Sequence, residues 1–299
     1  MVAQAGALVL YQSAGNQNGL RPVAELRVAA ETNSAGKKKP FLRRVQKARR
    51  RFVKRAGRRF ILGVADFIGR QGLVPDRPVH DRNLFPFLTP VEANWVTIRA
   101  ELDELLKDRD RLPAFHQISP DQKKISKADR WKVFILYGFG VPSQRNVARC
   151  PETAKLLQQI PNLQSAWFSI LSPRYHIARH RGVTKTVLRS HLGLVIPKER
   201  ERCRMQVGED MVVWETGKCV VFDDFFPHEV WNDTEEERVV LIFDFDRPMH
   251  LPGRLVGKLL SWGIKRTAYF KDAERNLKNW DERLETAVTT ANDMMDAKH

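Results

Sequence analysis

The chain has 299 residues, 42% of them apolar, which is enough for one large domain with appendages and excludes a wholly disordered protein. Its net charge of +16 is concentrated: residues 37–59 carry thirteen Lys and Arg and no acid, leaving +3 for everything else. Cys150, Cys203 and Cys219 are scattered and form no CxxC pair, which excludes a disulfide framework and a thiolate zinc site, and no apolar run reaches the roughly 18 residues of a membrane span.

In chain order, residues 1–36 lack periodicity and are expected to be a flexible leader. Residues 37–80 begin with Phe41, Val45, Ala48, Phe52, Ala56, Phe60, Val64 and Phe67 at three- and four-residue steps, with cations on the other face. This predicts a long basic amphipathic helix over 37–68, followed by a linker through Gly69, Gly72, Pro75 and Pro78. A solvated face, a nucleic-acid arm and a membrane-surface helix all remain open for it. Few stacking aromatics argue against nucleic acid, whereas an anionic membrane surface would use both faces.

A domain is expected over 81–250. Thr89-Pro90-Val91-Glu92 has the form of a capping box and predicts a helix over about 90–107, with a second, short helix after Pro151. Runs rich in Val, Ile and Phe at 131–139, 166–171, 186–196, 211–214, 218–222 and 238–245 predict strands without interleaved helices, hence a sandwich or jelly roll rather than a doubly wound sheet. Residues 251–299 are predicted helical, with Leu255, Leu259 and Trp262 beside Arg254, Lys258, Lys265 and Arg266.

Four of the eight histidines lie between 176 and 228. In the strand at 186–196, side chains two apart share a face, so Arg189 and His191 point together, opposite Leu188, Leu192 and Leu194. An unpaired buried guanidinium is costly, so that face must be a polar cavity suited to an anion, or solvent. His180 precedes His228 by 48 residues, and Arg238 follows ten later.

The text Arg189-Ser-His191-Leu-Gly-Leu-Val-Ile-Pro, Trp214-Glu-Thr-Gly217, Val221-Phe222-Asp223-Asp224-Phe-Phe-Pro-His228-Glu229-Val-Trp231 and Arg238 resembles the aspartyl/asparaginyl β-hydroxylase family of Fe(II)/2-oxoglutarate-dependent oxygenases. The resemblance implies a mainly β fold, a cupin-like double-stranded β-helix or jelly roll with flanking helices. It implies Fe(II) at His180 and His228, co-substrate 2-oxoglutarate against Ser169, Arg189, His191 and Arg238, and O2 as oxidant. It also implies a dioxygenase that hydroxylates an unactivated C–H bond.

Where many relatives in the wider superfamily have a carboxylate two residues after the first His, this chain has Gly182. That gap implies the peptidyl branch, with the β-carbon of Asp or Asn in a peptide as substrate. Asp223 and Asp224 are distant candidates for an outer-sphere acid, or simply turn the chain. The alternative substrate is the acyl chain of a membrane lipid, of lipid A or ornithine-lipid type, which the basic helices favour. A non-catalytic cupin-like binding module is the third reading. The expected location is cytoplasmic, at most peripheral on the cytosolic face of a membrane. His176 is left undecided between a structural residue and a site residue.

Overall fold

The computed structural model describes residues 59–118, 125–126, 128–138 and 140–266. Of the basic helix only its end falls here: residues 59–70 are helical (α1), while 37–58, the leader and everything after 266 lie outside the described residues.

The strands are β1 (Val79–His80), β2 (Trp131–Gly138), β3 (Val141–Pro142), β4 (Leu163–Leu171), β5 (Tyr175–His180), β6 (Val187–Val195), β7 (Cys203–Val207), β8 (Asp210–Val213), β9 (Cys219–Phe222), β10 (His228–Asn232) and β11 (Arg238–Asp246). They form a seven-stranded sheet in the order β1-β9-β6-β11-β4-β2-β3 and a four-stranded sheet in the order β5-β10-β7-β8, every ladder antiparallel. The expected double-stranded β-helix is therefore not formed. Closing a barrel requires the edge strands to pair with one another. Here β1 and β3 end the larger sheet as two-residue strands and, among the described residues, no ladder joins it to the smaller one, so both sheets stay open. Strand text reveals alternation but not edge pairing.

The predicted helix over 90–107 is two helices, α2 (Thr89–Ala93) and α3 (Trp95–Leu106), broken where the Asn94 side-chain amide donates to the Pro90 carbonyl at 2.8 Å. The capping box does not form. Thr89 already lies in the helix and its hydroxyl accepts from Arg82, while Glu92 pairs with Arg82 at 2.8 Å and accepts from the Cys219 backbone N–H. Further along are α4 (Phe115–Ile118), α5 (Gln144–Arg149), α6 (Pro151–Gln158) and α7 (Leu251–Lys265).

Two apolar layers result. One lies between the helices and the larger sheet, with Leu88, Ile98, Leu102, Leu157, Leu188 and Leu192 among its members. The other includes Val133, Met205, Val207, Trp214, Phe222 and Val230. Strand β11 feeds both, Leu241 and Phe243 to the first and Val240 and Ile242 to the second, so it reads as a continuous apolar run rather than an alternating one. The second layer borders the candidate site.

Candidate functional site

A cavity of about 320 Å³ opens along the second layer. His180 ends β5 and His228 begins β10, and the ladder sets them directly opposite one another, with a register shift immediately after His228. Their ring centroids are 4.2 Å apart. Each Nδ1 lies 2.9 Å from a carbonyl two residues earlier, of Ala178 and Phe226 respectively. A carbonyl can only accept, so both Nδ1 atoms carry the proton and each Nε2 keeps its lone pair. Burial, then the neighbouring His228, lowers the His180 pKa to about 4, and burial lowers that of His228. Two neutral imidazoles with free lone pairs side by side are a donor set suited to a first-row divalent metal. Among the described residues no group of three or more His, Cys, Asp or Glu side chains is placed to hold a metal ion.

Asp224 adds a carboxylate. Its Oδ1 is 3.3 Å from His228 Nε2 and accepts from Arg189 Nη1 at 2.6 Å. Burial pushes its pKa up, but the charge of Arg189 beside it pulls the other way, and the carboxyl stays below its ordinary range. A Cβ at Gly182 would stand 2.0 Å from Asp224 Oδ2. The glycine gap is thus filled by a carboxylate arriving from elsewhere in the chain.

Strand β6 delivers Arg189 and His191 to the cavity face and Leu188, Leu192 and Leu194 to the opposite layer, as period two requires. The two polar residues then part company. Arg189 grips Asp244 with two bonds, Nε to Oδ1 at 2.7 Å and Nη2 to Oδ2 at 2.9 Å, besides its bond to Asp224. Its charge is balanced by two carboxylates, and it fixes the orientation of Asp224. His191 is buried with neither ring nitrogen hydrogen-bonded, set against Phe222 and Trp214. Burial and then Arg238 hold it well below the ordinary histidine pKa, hence neutral.

Arg238 opens β11 and is wholly buried. Its Cζ lies 4.8 Å over the Trp214 ring, Nη1 is 3.5 Å from Ser169 Oγ, and Nε has no hydrogen-bond partner. Ser169 also accepts from Trp131 Nε1 at 3.0 Å. No carboxylate pairs with Arg238 among the described residues, and burial lowers its pKa to about 10. A buried guanidinium edge without a carboxylate partner, beside an unbonded imidazole and a serine hydroxyl, is a set of groups that could take an anion such as a carboxylate.

The six residues singled out from the sequence all line this cavity. His176 does not: it is exposed, stacked on Trp231 and 3.1 Å from Glu229. Asp244 went unnoticed, although an acid inside the apolar run Arg238–Asp246 was a usable signal. Asp223, adjacent to Asp224, turns the other way to a buried pair with Arg247 and lies 3.6 Å from Lys185.

Residues 92–248 match the family described as Aspartyl/Asparaginyl beta-hydroxylase. The ornithine lipid ester-linked acyl 2-hydroxylase of Rhizobium tropici is 40% identical over 211 residues, which cover 69% of this chain and 74% of that protein. The aspartyl/asparaginyl beta-hydroxylase of Homo sapiens is 34% identical over 167 residues, covering 54% of this chain and 21% of that protein. The human aspartate beta-hydroxylase domain-containing protein 2 is 33% identical over 170 residues, covering 53% and 44%.

Proposed function

We propose that this chain, which belongs to the aspartyl/asparaginyl β-hydroxylase family, hydroxylates the acyl chain of a membrane lipid using Fe(II), 2-oxoglutarate and O2. Family membership carries the Fe(II)/2-oxoglutarate-dependent hydroxylase chemistry. The observation that carries the substrate is the extent of similarity: the lipid acyl hydroxylase of Rhizobium tropici matches at 40% over 69% of the chain, the human peptidyl-type relative at 34% over 54%. The cavity lining agrees, being mostly apolar with Phe115, Ile118, Ile125, Trp131, Ile135 and Val230. A saturated chain has nothing to hydrogen-bond and gains by leaving water for such walls.

The weight that Gly182 lent to a peptide substrate falls away. Asp224 occupies the space that a side chain at 182 would take, so the missing carboxylate says nothing about what is hydroxylated.

His180 and His228 would hold the iron through Nε2, with Asp224 beside them as a fixed hydrogen-bond acceptor. Bound Fe(II) supplies the oxidative chemistry, in which O2 and 2-oxoglutarate yield succinate, CO2 and one oxygen atom placed in a C–H bond. Arg238 binds a carboxylate of 2-oxoglutarate, helped by Ser169 and His191, where a buried guanidinium has no carboxylate partner among the described residues. Arg189 acts through Asp224 by holding it against rotation. Trp131, Trp214 and Phe222 keep water from the reacting groups.

The test is direct competition. The protein is given Fe(II), 2-oxoglutarate and ascorbate with either an ornithine lipid bearing an ester-linked acyl chain or Asp- and Asn-containing peptides. The expected result is succinate together with a lipid heavier by one oxygen. Oxygenated peptide with untouched lipid would replace the lipid reading by the peptidyl one.

A further inference from the structure

Helix α7 carries a feature that the hydroxylation chemistry does not use. Leu251, Leu255, Leu259 and Trp262 are 65%, 59%, 66% and 57% exposed, values usual for charged residues rather than for a row of large apolar ones. Their spacing of four, four and three residues confines them to an arc on the order of 80° of the helix. The opposite side faces the protein. A Cβ at Gly253 would meet Gln71, and one at Gly257 would touch Met249 and Thr186. Arg254, Lys258 and Arg266 are exposed along the apolar row, Arg266 with its guanidinium over the Trp262 ring, and no acid occurs from Arg247 to Arg266.

The helix also lies at the cavity. Its Ser261 lines the cavity wall, as do Thr184, Thr186 and Val187 of the segment on which Gly257 rests. Val183 of the same segment lines the cavity too and is itself 62% exposed, so an apolar side chain stands at the rim.

From this we infer that α7 lies flat on an anionic lipid surface, its apolar row inserted at headgroup level and its cations among the phosphates, with the cavity rim at Val183 set against the same surface. Charge complementarity selects the occupant: an apolar row edged only by cations suits a negatively charged bilayer, and Trp with Arg is a pairing suited to the headgroup layer. The 15 residues of α7 span roughly 22 Å, far short of a bilayer crossing, so the helix lies along the surface. This inference rests on the lipid reading of the cavity and explains how an acyl chain would reach it without crossing water.

Vesicle flotation of the full chain, without iron or co-substrate, separates docking from catalysis. The protein should rise with phosphatidylcholine vesicles containing phosphatidylglycerol, less at high salt, and scarcely with pure phosphatidylcholine. Leu255→Ser with Leu259→Ser should weaken this at least tenfold, and Arg254→Glu with Lys258→Glu should remove its salt sensitivity, both with unchanged circular dichroism and with unchanged succinate formation measured in the absence of lipid. A bromine-tailed lipid should quench part of the tryptophan emission of the wild type and none of that part in Trp262→Phe. Wild type that stays down with anionic vesicles, or a double-serine variant that floats as wild type does, overturns the inference. So does a double-serine variant whose only change is from dimer to monomer in sedimentation, which would make the face a contact between copies. Docking through α7 without any lipid oxygenation would instead leave this surface standing and remove the lipid substrate.

Discussion

Arg238→Met tests whether the buried guanidinium is kept for an anion. Burial takes the Arg238 pKa from 12.5 to about 10, and at about 1.4 kcal/mol per unit this amounts to about 3 kcal/mol of unfavourable charge burial in the protein without co-substrate. Met has a similar length and no charge. It forfeits the long contact to Ser169 and the stacking on Trp214, together about 1 kcal/mol. The variant should therefore be more stable than wild type by about 2 kcal/mol, which for a domain of this size raises the melting temperature by about 4 to 8 °C. The second half of the prediction concerns ligand. At a hundredfold excess over its dissociation constant, 2-oxoglutarate stabilises a protein that binds it by about 2.7 kcal/mol, and this gain should be present in wild type and absent from the variant. Scanning calorimetry with and without 2-oxoglutarate reads both. An Arg238→Met protein that melts below wild type and still gains from 2-oxoglutarate would refute the assignment of Arg238 and the cost assigned to its burial.

Either His180→Ala or His228→Ala should abolish Fe(II)-dependent succinate formation while leaving near-ultraviolet circular dichroism intact, and undiminished turnover in both would end the oxygenase reading. Gly182→Asp alone should cost at least tenfold in metal retention, because its Cβ would fall 2.0 Å from Asp224 Oδ2, and adding Asp224→Ala should recover much of the loss; equal retention in the single variant and wild type would contradict this. His80 is buried with both nitrogens unbonded, and burial, then Arg247, lowers its pKa from 6.5 to about 4. The folded state is thus the weaker proton binder, so the His80 contribution is complete above pH 6.5 and is lost as pH falls through 4. By pH 5 it removes about 2 kcal/mol. Urea unfolding at pH 7 and pH 5 should show His80→Phe less sensitive to that change by this amount, and equal sensitivity would place the titration elsewhere.

The larger sheet was more legible than the smaller one. Strands β2, β4, β6, β9 and β11 are bordered by apolar layers and announce themselves as Val, Ile and Phe runs. Strands β5, β7 and β10 alternate instead, because His176, Arg204, Gln206, Glu229 and Trp231 keep partly exposed positions between buried ones, so their text is too polar to pass as core. The site was legible for a different reason. Period two on β6 put Arg189 and His191 on one face without any knowledge of pairing. Which of the two keeps a free edge was not readable, since Asp244 and Asp224, 55 and 35 residues away, reach Arg189 only through the fold. The same holds for the meeting of His180 and His228, which depends on the register of β5 against β10.

Asp223 and Asp224 are one peptide bond apart yet answer to different demands. The first is locked against Arg247 and Lys185 in the interior, the second faces Arg189 and His228 in the cavity. A survey of random variants scored by product alone would mark the two positions as equally intolerant. Scored by the amount of folded protein as well, they should separate: losses at 223 would appear as missing protein, and losses at 224 as intact protein that no longer turns over.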